Sequence, residues 1–266
     1  MNKIGHLTIT VLAFLFLSIP PISAMYAGSS GSSGLYPEAA SPEVVSEETV
    51  VLLHGALKTA FSMERLDRAF AAKGYRTLNW DYDARNFTVQ ENAGKLDSLI
   101  RTRGIHRTRT HFVTHSIGGL VVRYYLEEYT LPHPGRFVMI SPPNQGSYLA
   151  TELQDFPPFK WFYRESVQNL LTGQDAFAPN AGIPDTEFGI IAGGTGGKRG
   201  FTWYLPGDDD GVLSVEQTKL KGAEDFILLN HVHANIVIQD DTIIQALHFI
   251  EHGGFSRQPK HRNTIP

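Results

Sequence analysis

The chain has 266 residues, enough for one α/β domain with a full core. Hydrophobic residues make up 42% and charged residues 19%, the balance of a folded globular protein rather than a disordered one. The net charge of −4 leaves no basic footprint for nucleic acid, and the absence of cysteine excludes disulfides, thiolate metal sites and a Cys-linked lipid anchor.

The first 24 residues read as a signal peptide. Lys3 supplies the positive start, Leu7 to Ile19 the apolar run, and Ile22-Ser-Ala24 a small-residue cleavage site. The run is short for a membrane span, which needs about 20 residues. Export is therefore expected, to the periplasm or beyond, with an uncleaved N-terminal anchor as the alternative. Residues 25–46 are rich in Gly, Ser and Pro and read as a flexible linker. The ordered domain is expected over 47–256, with a tail over 257–266.

Within that domain, Thr49-Val-Val-Leu-Leu53 is a continuous apolar run, as a strand buried on both faces requires. It runs into His54-Gly55. A helix follows with Met63, Leu66, Ala69 and Phe70 on one face, and Arg76 to Trp80 is the next strand. Thr88-Val-Gln-Glu91 is a capping box, opening a helix with Val89, Ala93, Leu96 and Ile100 in phase. Arg109 to Thr114 is a third strand, followed after two glycines by an amphipathic helix from Leu120 to Tyr129. Arg136 to Ile140, Glu187 to Ala192 and Asp225 to Leu229 are three further strands. Asp241 is read as the cap of a last helix that turns Ile243, Ile244, Leu247 and Ile250 inward and ends at Gly253. Strands alternating with helices predict right-handed crossovers and a mostly parallel sheet of about six strands, with helices on both faces.

The alternation breaks over residues 142–186. Phe156, Pro157, Pro158, Phe159, Trp161, Phe162 and Tyr163 crowd together there. Aromatic density outside a strand suits a lid or one wall of an apolar pocket. An ordinary insertion packed on the core is the plain alternative.

The chemistry centres on Phe112-Val-Thr-His-Ser-Ile-Gly-Gly-Leu120. A strand, a sharp turn carrying Ser116 and a helix make the context of a nucleophile elbow, although Thr114 stands where Gly is usual. A Ser hydroxyl is a weak nucleophile until a base takes its proton and an acid orients that base. Acid candidates precede Gly211: Asp210 is preferred and Asp209 is second. A calcium turn at Asp208–Asp210 is a weak alternative, because three contiguous Asp lack spaced ligands. Base candidates follow the last strand: His233 is preferred and His231 is the runner-up. The N–H of Ile117, next after the nucleophile, and that of Ala56, after the first strand, are the expected oxyanion donors. His115 flanks Ser116 but points away across the pleat, which suits packing or hydrogen bonding better than base chemistry. No histidine spacing matches a metal motif, and no cofactor is expected.

Taken together, these stretches resemble the α/β-hydrolase superfamily, and within it the bacterial lipase/esterase-like enzymes of the triacylglycerol-lipase type. The likeness is carried by Val51-Leu-Leu-His-Gly55, by Phe112 through Arg123, and by Val138-Met-Ile-Ser-Pro-Pro-Asn-Gln-Gly-Ser147. It continues through Asp209-Asp-Gly-Val-Leu-Ser-Val-Glu-Gln-Thr-Lys-Leu220 and His233, spanning about Val50 to Phe255. Relatives commonly have Thr-His-Ser at the elbow. The resemblance implies the α/β-hydrolase fold, carboxylic ester hydrolysis, and Ser116, Asp210 and His233 as nucleophile, acid and base. A small-molecule or lipid-like ester is the expected substrate, the aromatic insertion pointing to the lipid-like kind, and transient contact with a membrane or lipid surface is expected with it. Ala56 is smaller than the residue often found there, which widens the expected pocket beside the oxyanion. An acyltransferase or amidase with the same residues, or a non-catalytic binding module on this scaffold, are the alternatives.

Overall fold

A computed structural model describes residues 48–257. The expected signal peptide and linker, and the tail beyond Arg257, lie outside the described residues. Six strands run in chain order: β1 (Glu48–Leu53), β2 (Arg76–Trp80), β3 (Arg109–His115), β4 (Pro134–Ile140), β5 (Phe188–Gly193) and β6 (Asp225–Leu229). All neighbours are parallel, in the order β2-β1-β3-β4-β5-β6. The helices are α1 (Glu64–Ala72), α2 (Val89–Thr102), α3 (Ile117–Glu128), α4 (Tyr148–Leu153), α5 (Pro157–Tyr163), α6 (Val215–Thr218) and α7 (Asp240–His252).

The sheet has two apolar faces because its central strands β1, β4 and β5 carry buried apolar side chains on both sides. Val50, Leu52, Val113, Val138, Ile140 and Ile191 share one face with Met63, Leu66 and Phe70 from the α1 region and with Ile243, Ala246, Phe249 and Ile250 of α7. The residues between them in sequence point the other way. There Phe112 meets Tyr125 of α3 and Phe137 edge-on, at centroid separations of 5.9 and 6.1 Å. Apolar side chains on both faces of these central strands suit the middle of a three-layer domain. Among the described residues no helix is long and apolar enough to cross a membrane.

Two local readings are corrected. Asp241 does not cap α7. The helix begins at Asp240, two residues before a cap at Asp241 would start it, after Gln239, which makes no side-chain cap bond. Asp241 instead sits in the first turn, where its carboxylate bonds His231 Nε2 at 2.7 Å and accepts the N–H of Thr242 at 2.9 Å. Ile244 faces solvent rather than the core, at 58% exposure. Phe249, packed on Phe255 at 5.0 Å, fixes the buried face of the helix, and that face passes through Thr242, Ile243, Ala246 and Ile250. The capping box at Thr88 forms as predicted, with Thr88 Oγ1 accepting from the Glu91 N–H at 3.2 Å and Glu91 accepting in return from the Thr88 N–H at 2.8 Å.

Strand order is what locates the site. From β1 the chain steps to β2 on one side, then returns to β3 on the other. The loops after β1 and β3 therefore leave in opposite directions and open a crevice at the carboxyl edge of the sheet. Ser116 follows β3 and Gly55 follows β1.

Candidate active site

Ser116 sits between β3 and α3 with φ 54° and ψ −127°, a conformation that L residues rarely hold. Such backbone costs of the order of 1–3 kcal/mol and persists only where its surroundings over-determine it. Here they do. The Ser116 N–H donates to the Ile140 carbonyl at 2.9 Å, and its own carbonyl accepts from Gly119 at 2.9 Å. The helix starts directly at Ile117, three residues earlier than the sequence suggested, so Gly118 and Gly119 lie inside its first turn. This early start aims the first N–H groups of α3 at the crevice. Ser116 is partly open, while His115 and Ile117 on either side are buried.

Gly118 is required by contact. A Cβ there would stand 2.9 Å from the Leu53 carbonyl oxygen and 3.0 Å from that of His54. Those atoms are backbone and cannot rotate away. Gly118→Ala should therefore lower stability by about 1–3 kcal/mol, as overpacking does. A shift of the urea midpoint at unchanged slope would report it, and an unshifted midpoint would contradict the close approach. Gly55 is tight for a related reason: its Cβ would lie 2.9 Å from His115 Nδ1 and 3.2 Å from Ser116 Cβ. The turn after β1 thus lies directly against the elbow. Within that turn the Gly55 carbonyl faces His54 Nδ1 at 2.8 Å and accepts from the Lys58 N–H at 3.1 Å. Because the Gly55 carbonyl and the Ala56 N–H belong to one planar peptide, pinning the oxygen directs the N–H the opposite way.

His233 reaches the site from the loop after β6. Its Nε2 lies 3.1 Å from Ser116 Oγ, and its Nδ1 lies 2.7 Å from Asp210 Oδ2. Its N–H donates to the Asp210 carbonyl at 2.8 Å. Asp210 is 1% exposed, and its other oxygen, Oδ1, accepts from the Val212 and Leu213 N–H groups at 3.0 and 2.8 Å. With one oxygen occupied by two backbone donors, the remaining oxygen is aimed at His233. A carboxylate accepts only, so Nδ1 carries the proton and Nε2 presents its lone pair to the serine hydroxyl.

The two runner-up residues are placed elsewhere. His231 Nε2 is turned to Asp241, so this side chain ties the loop to α7 rather than reaching Ser116. Asp209, fully buried, accepts from Thr202 N–H, Thr202 Oγ1 and Gly211 N–H at 3.1, 3.1 and 2.8 Å. Burial raises its carboxyl above the usual carboxylate range, against the pull of those donors. Asp208 turns a third way, to Thr195 and Gly196. The three contiguous aspartates thus diverge, and among the described residues no group of three or more His, Asp or Glu could hold a metal ion.

Arg123 was not singled out as a site residue, yet it organises the surroundings. It is fully buried, and burial pushes its guanidinium down to about 10. It donates to the Gly182, Asn144 and Ala178 carbonyls at 2.8, 3.4 and 2.8 Å and to Asn144 Oδ1 at 3.1 Å, tying both ends of the 142–186 segment to α3. The one signal in the sequence is a basic residue closing the apolar run Leu120-Val-Val122, seven residues after Ser116. The aromatic cluster of that segment divides. Phe159 and Tyr163 are buried and stack at 4.5 Å, while Trp161 is 61% exposed beneath the Arg85 guanidinium.

No family model matches the chain, and no curated protein does. Solved structures do. The mature lipase BlEst2 of Bacillus licheniformis superposes with a TM-score of 0.55 at 18% identity, over 76% of this chain and 90% of that one. A metagenomic carboxyl esterase gives 0.52 at 17%, over 78% and 70%. The phospholipase PlaB of Legionella pneumophila gives 0.53 at 18% over 65% of this chain, but the match spans only 44% of PlaB. At such identities the likeness is one of fold alone.

Proposed function

We propose that this chain, an α/β-hydrolase by its fold, is a serine hydrolase that cleaves carboxylic esters through an acyl-enzyme on Ser116. One observation carries the reading: an unbroken line from Asp210 Oδ2 through both nitrogens of His233 to Ser116 Oγ, with separations of 2.7 and 3.1 Å. Both lie within reach of proton transfer.

In the proposed reaction Ser116 Oγ attacks the acyl carbonyl as its proton passes to His233 Nε2. Asp210, already accepting from Nδ1–H, stabilises the imidazolium that results. The N–H groups of Ala56 and Ile117 hold the oxyanion, each donor being worth roughly 3–4 kcal/mol in comparable sites. His233 then gives its proton to the departing alkoxide oxygen. Water attacks the acyl-enzyme with the same base, releasing the carboxylic acid and restoring Ser116.

A lipid-like ester is the proposed substrate class. In an all-parallel sheet every strand-to-helix loop leaves at the edge that bears Ser116. The connections that leave there, including short helical segments such as α5, carry Phe61, Trp161, Trp203 and Ile238 as exposed apolar residues. They offer a long acyl chain, or the surface that presents it, apolar contact around the mouth. Export through the N-terminal segment belongs to the same proposal. Two measurements on the purified protein test the reading. A fluorophosphonate should label one residue, Ser116, identified by peptide mass. A series of p-nitrophenyl esters should be turned over with kcat/KM rising beyond the acetate. A protein that stays unlabelled and inert on the whole series would overturn it, in favour of a binding module.

A further inference from the structure

We infer that His115, the residue before the proposed nucleophile, is a positioning residue whose side chain sets the separation between Ser116 and His233. The inference rests on the ester-hydrolase reading above. His115 Nε2 lies 3.1 Å from the His233 carbonyl oxygen, in a buried contact across 118 positions of sequence. A carbonyl only accepts, so Nε2 must carry the ring proton and donate it. Nδ1 is then the lone-pair nitrogen. It is buried, without a hydrogen-bond partner among the described residues, under Gly55, whose lack of a side chain leaves room for the ring.

Apart from the Nε2–Oγ contact whose length is at issue, this is the hydrogen bond among the described residues that joins His233 to the elbow. The bonds from His233 N–H and Nδ1 both run to Asp210 and tie the base to the acid. The bond from His115 ties the base to the elbow. His115 and Ser116 are consecutive, and their shared backbone is pinned by the Ser116 N–H bond to Ile140. The imidazole of His115 and the hydroxyl of Ser116 are therefore fixed relative to one another. By holding the carbonyl of His233, His115 holds that residue's ring at a set distance from Oγ. The two rings also pack at 4.8 Å with a 42° tilt, so the contact restrains orientation as well as distance. Burial foremost, then the neighbouring His233 and Lys58, keeps the His115 imidazole well below the ordinary histidine range. It therefore remains a neutral donor while His233 becomes charged and does not repel the imidazolium that the reaction forms.

The test compares the parent with His115→Met, His115→Gln and His115→Asn on p-nitrophenyl esters. The Met side chain fills similar space without a donor. The Gln amide can place an N–H near the Nε2 position, whereas the Asn amide stops short of it. A displacement of about 1 Å in such a site can cost about 100-fold. His115→Met should thus lower kcat by about 10- to 100-fold with KM within about twofold of the parent. His115→Gln should recover most of that loss and His115→Asn should not. Folded enzyme is counted by fluorophosphonate titration, so that a residue important only for packing would lower the melting temperature and leave kcat per labelled site unchanged. A kcat for His115→Met within about twofold of the parent would overturn the inference. So would equal rates for Gln and Asn, the comparison that decides the matter if His115→Met does not fold. An inert parent would remove the hydrolase reading and this inference with it, a result distinct from an active parent indifferent to residue 115.

Discussion

Ser116→Ala should abolish ester turnover, lowering kcat/KM by at least about 10⁴-fold, while the protein folds as before. The size follows from what is lost. Without Oγ there is no acyl-enzyme, and His233 has no hydroxyl to deprotonate; removing the serine of such a unit elsewhere costs nearly as much as removing all of its members. What survives is binding and the proposed pair of oxyanion donors, neither of which supplies a nucleophile. The fold should survive because, among the described residues, the hydrogen bond Ser116 Oγ makes is the one to His233. The restraints on the elbow, from Ile140 and Gly119, are backbone and remain. A second substitution makes the point sharper. Since residue 116 is held at φ 54°, Ser116→Gly should melt higher than Ser116→Ala, because glycine takes that conformation without the Cβ penalty. Circular dichroism and thermal melts read the fold, and p-nitrophenyl ester assays with fluorophosphonate labelling read the chemistry. Near-parent turnover in Ser116→Ala would mean that the hydrolysis, if present, belongs to another residue.

The sheet was legible because β1, β4, β5 and β6 are built on short apolar runs, while the more polar β2 and β3 fall into the same alternation of strand and helix. The predicted bounds of β2 and β6 hold to the residue, and those of the other four shift by one or two. Helix starts were harder, for two different reasons. At Thr88 the cap is a side chain and can be read. At Ile117 and Asp240 the start is set by tertiary contacts, the close approach of α3 to β1 and the seating of Phe249, and no side chain at the boundary announces it. The same division applies to the site. Ser116 was marked by its turn, Gly55 by its place after β1, and Asp210 and His233 by their chain order. The preference for Asp210 and His233 over their neighbours had only a thin basis in the residues themselves. Nothing in Asp208-Asp-Asp210 distinguishes the carboxylates until Thr195, Thr202 and Leu213 claim one each. Nor does His231 differ from His233 before Asp241 takes it. Arg123 was hidden because its partners are main-chain carbonyls, which have no sequence signature.

That choice between carboxylates sets up the second large effect. Asp210→Asn should reduce turnover by about 10⁴-fold with the geometry of the site nearly unchanged, by analogy with the corresponding substitution in serine proteases. The reason lies in which oxygen is already occupied. Oδ1 accepts from Val212 and Leu213, so an Asn at 210 keeps its single oxygen there, and its NH₂ group falls where Oδ2 stood, facing His233 Nδ1. Two donors cannot share a hydrogen bond. His233 answers by shifting its proton to Nε2 and presenting the Nδ1 lone pair to the amide. Nε2 then faces Ser116 as a donor and can no longer take its proton, so the base is disabled without moving. Asp209→Asn supplies the contrast. Its oxygens accept from Thr202 and Gly211, away from the serine, so the substitution should cost about 1–2 kcal/mol of stability through weakened hydrogen bonds and leave kcat near that of the parent. Rates per fluorophosphonate-titrated site, set beside urea midpoints for both variants, separate the two effects. The reverse pattern, an inert Asp209→Asn beside an active Asp210→Asn, would transfer the role of the acid to the residue the structure leaves facing Thr202.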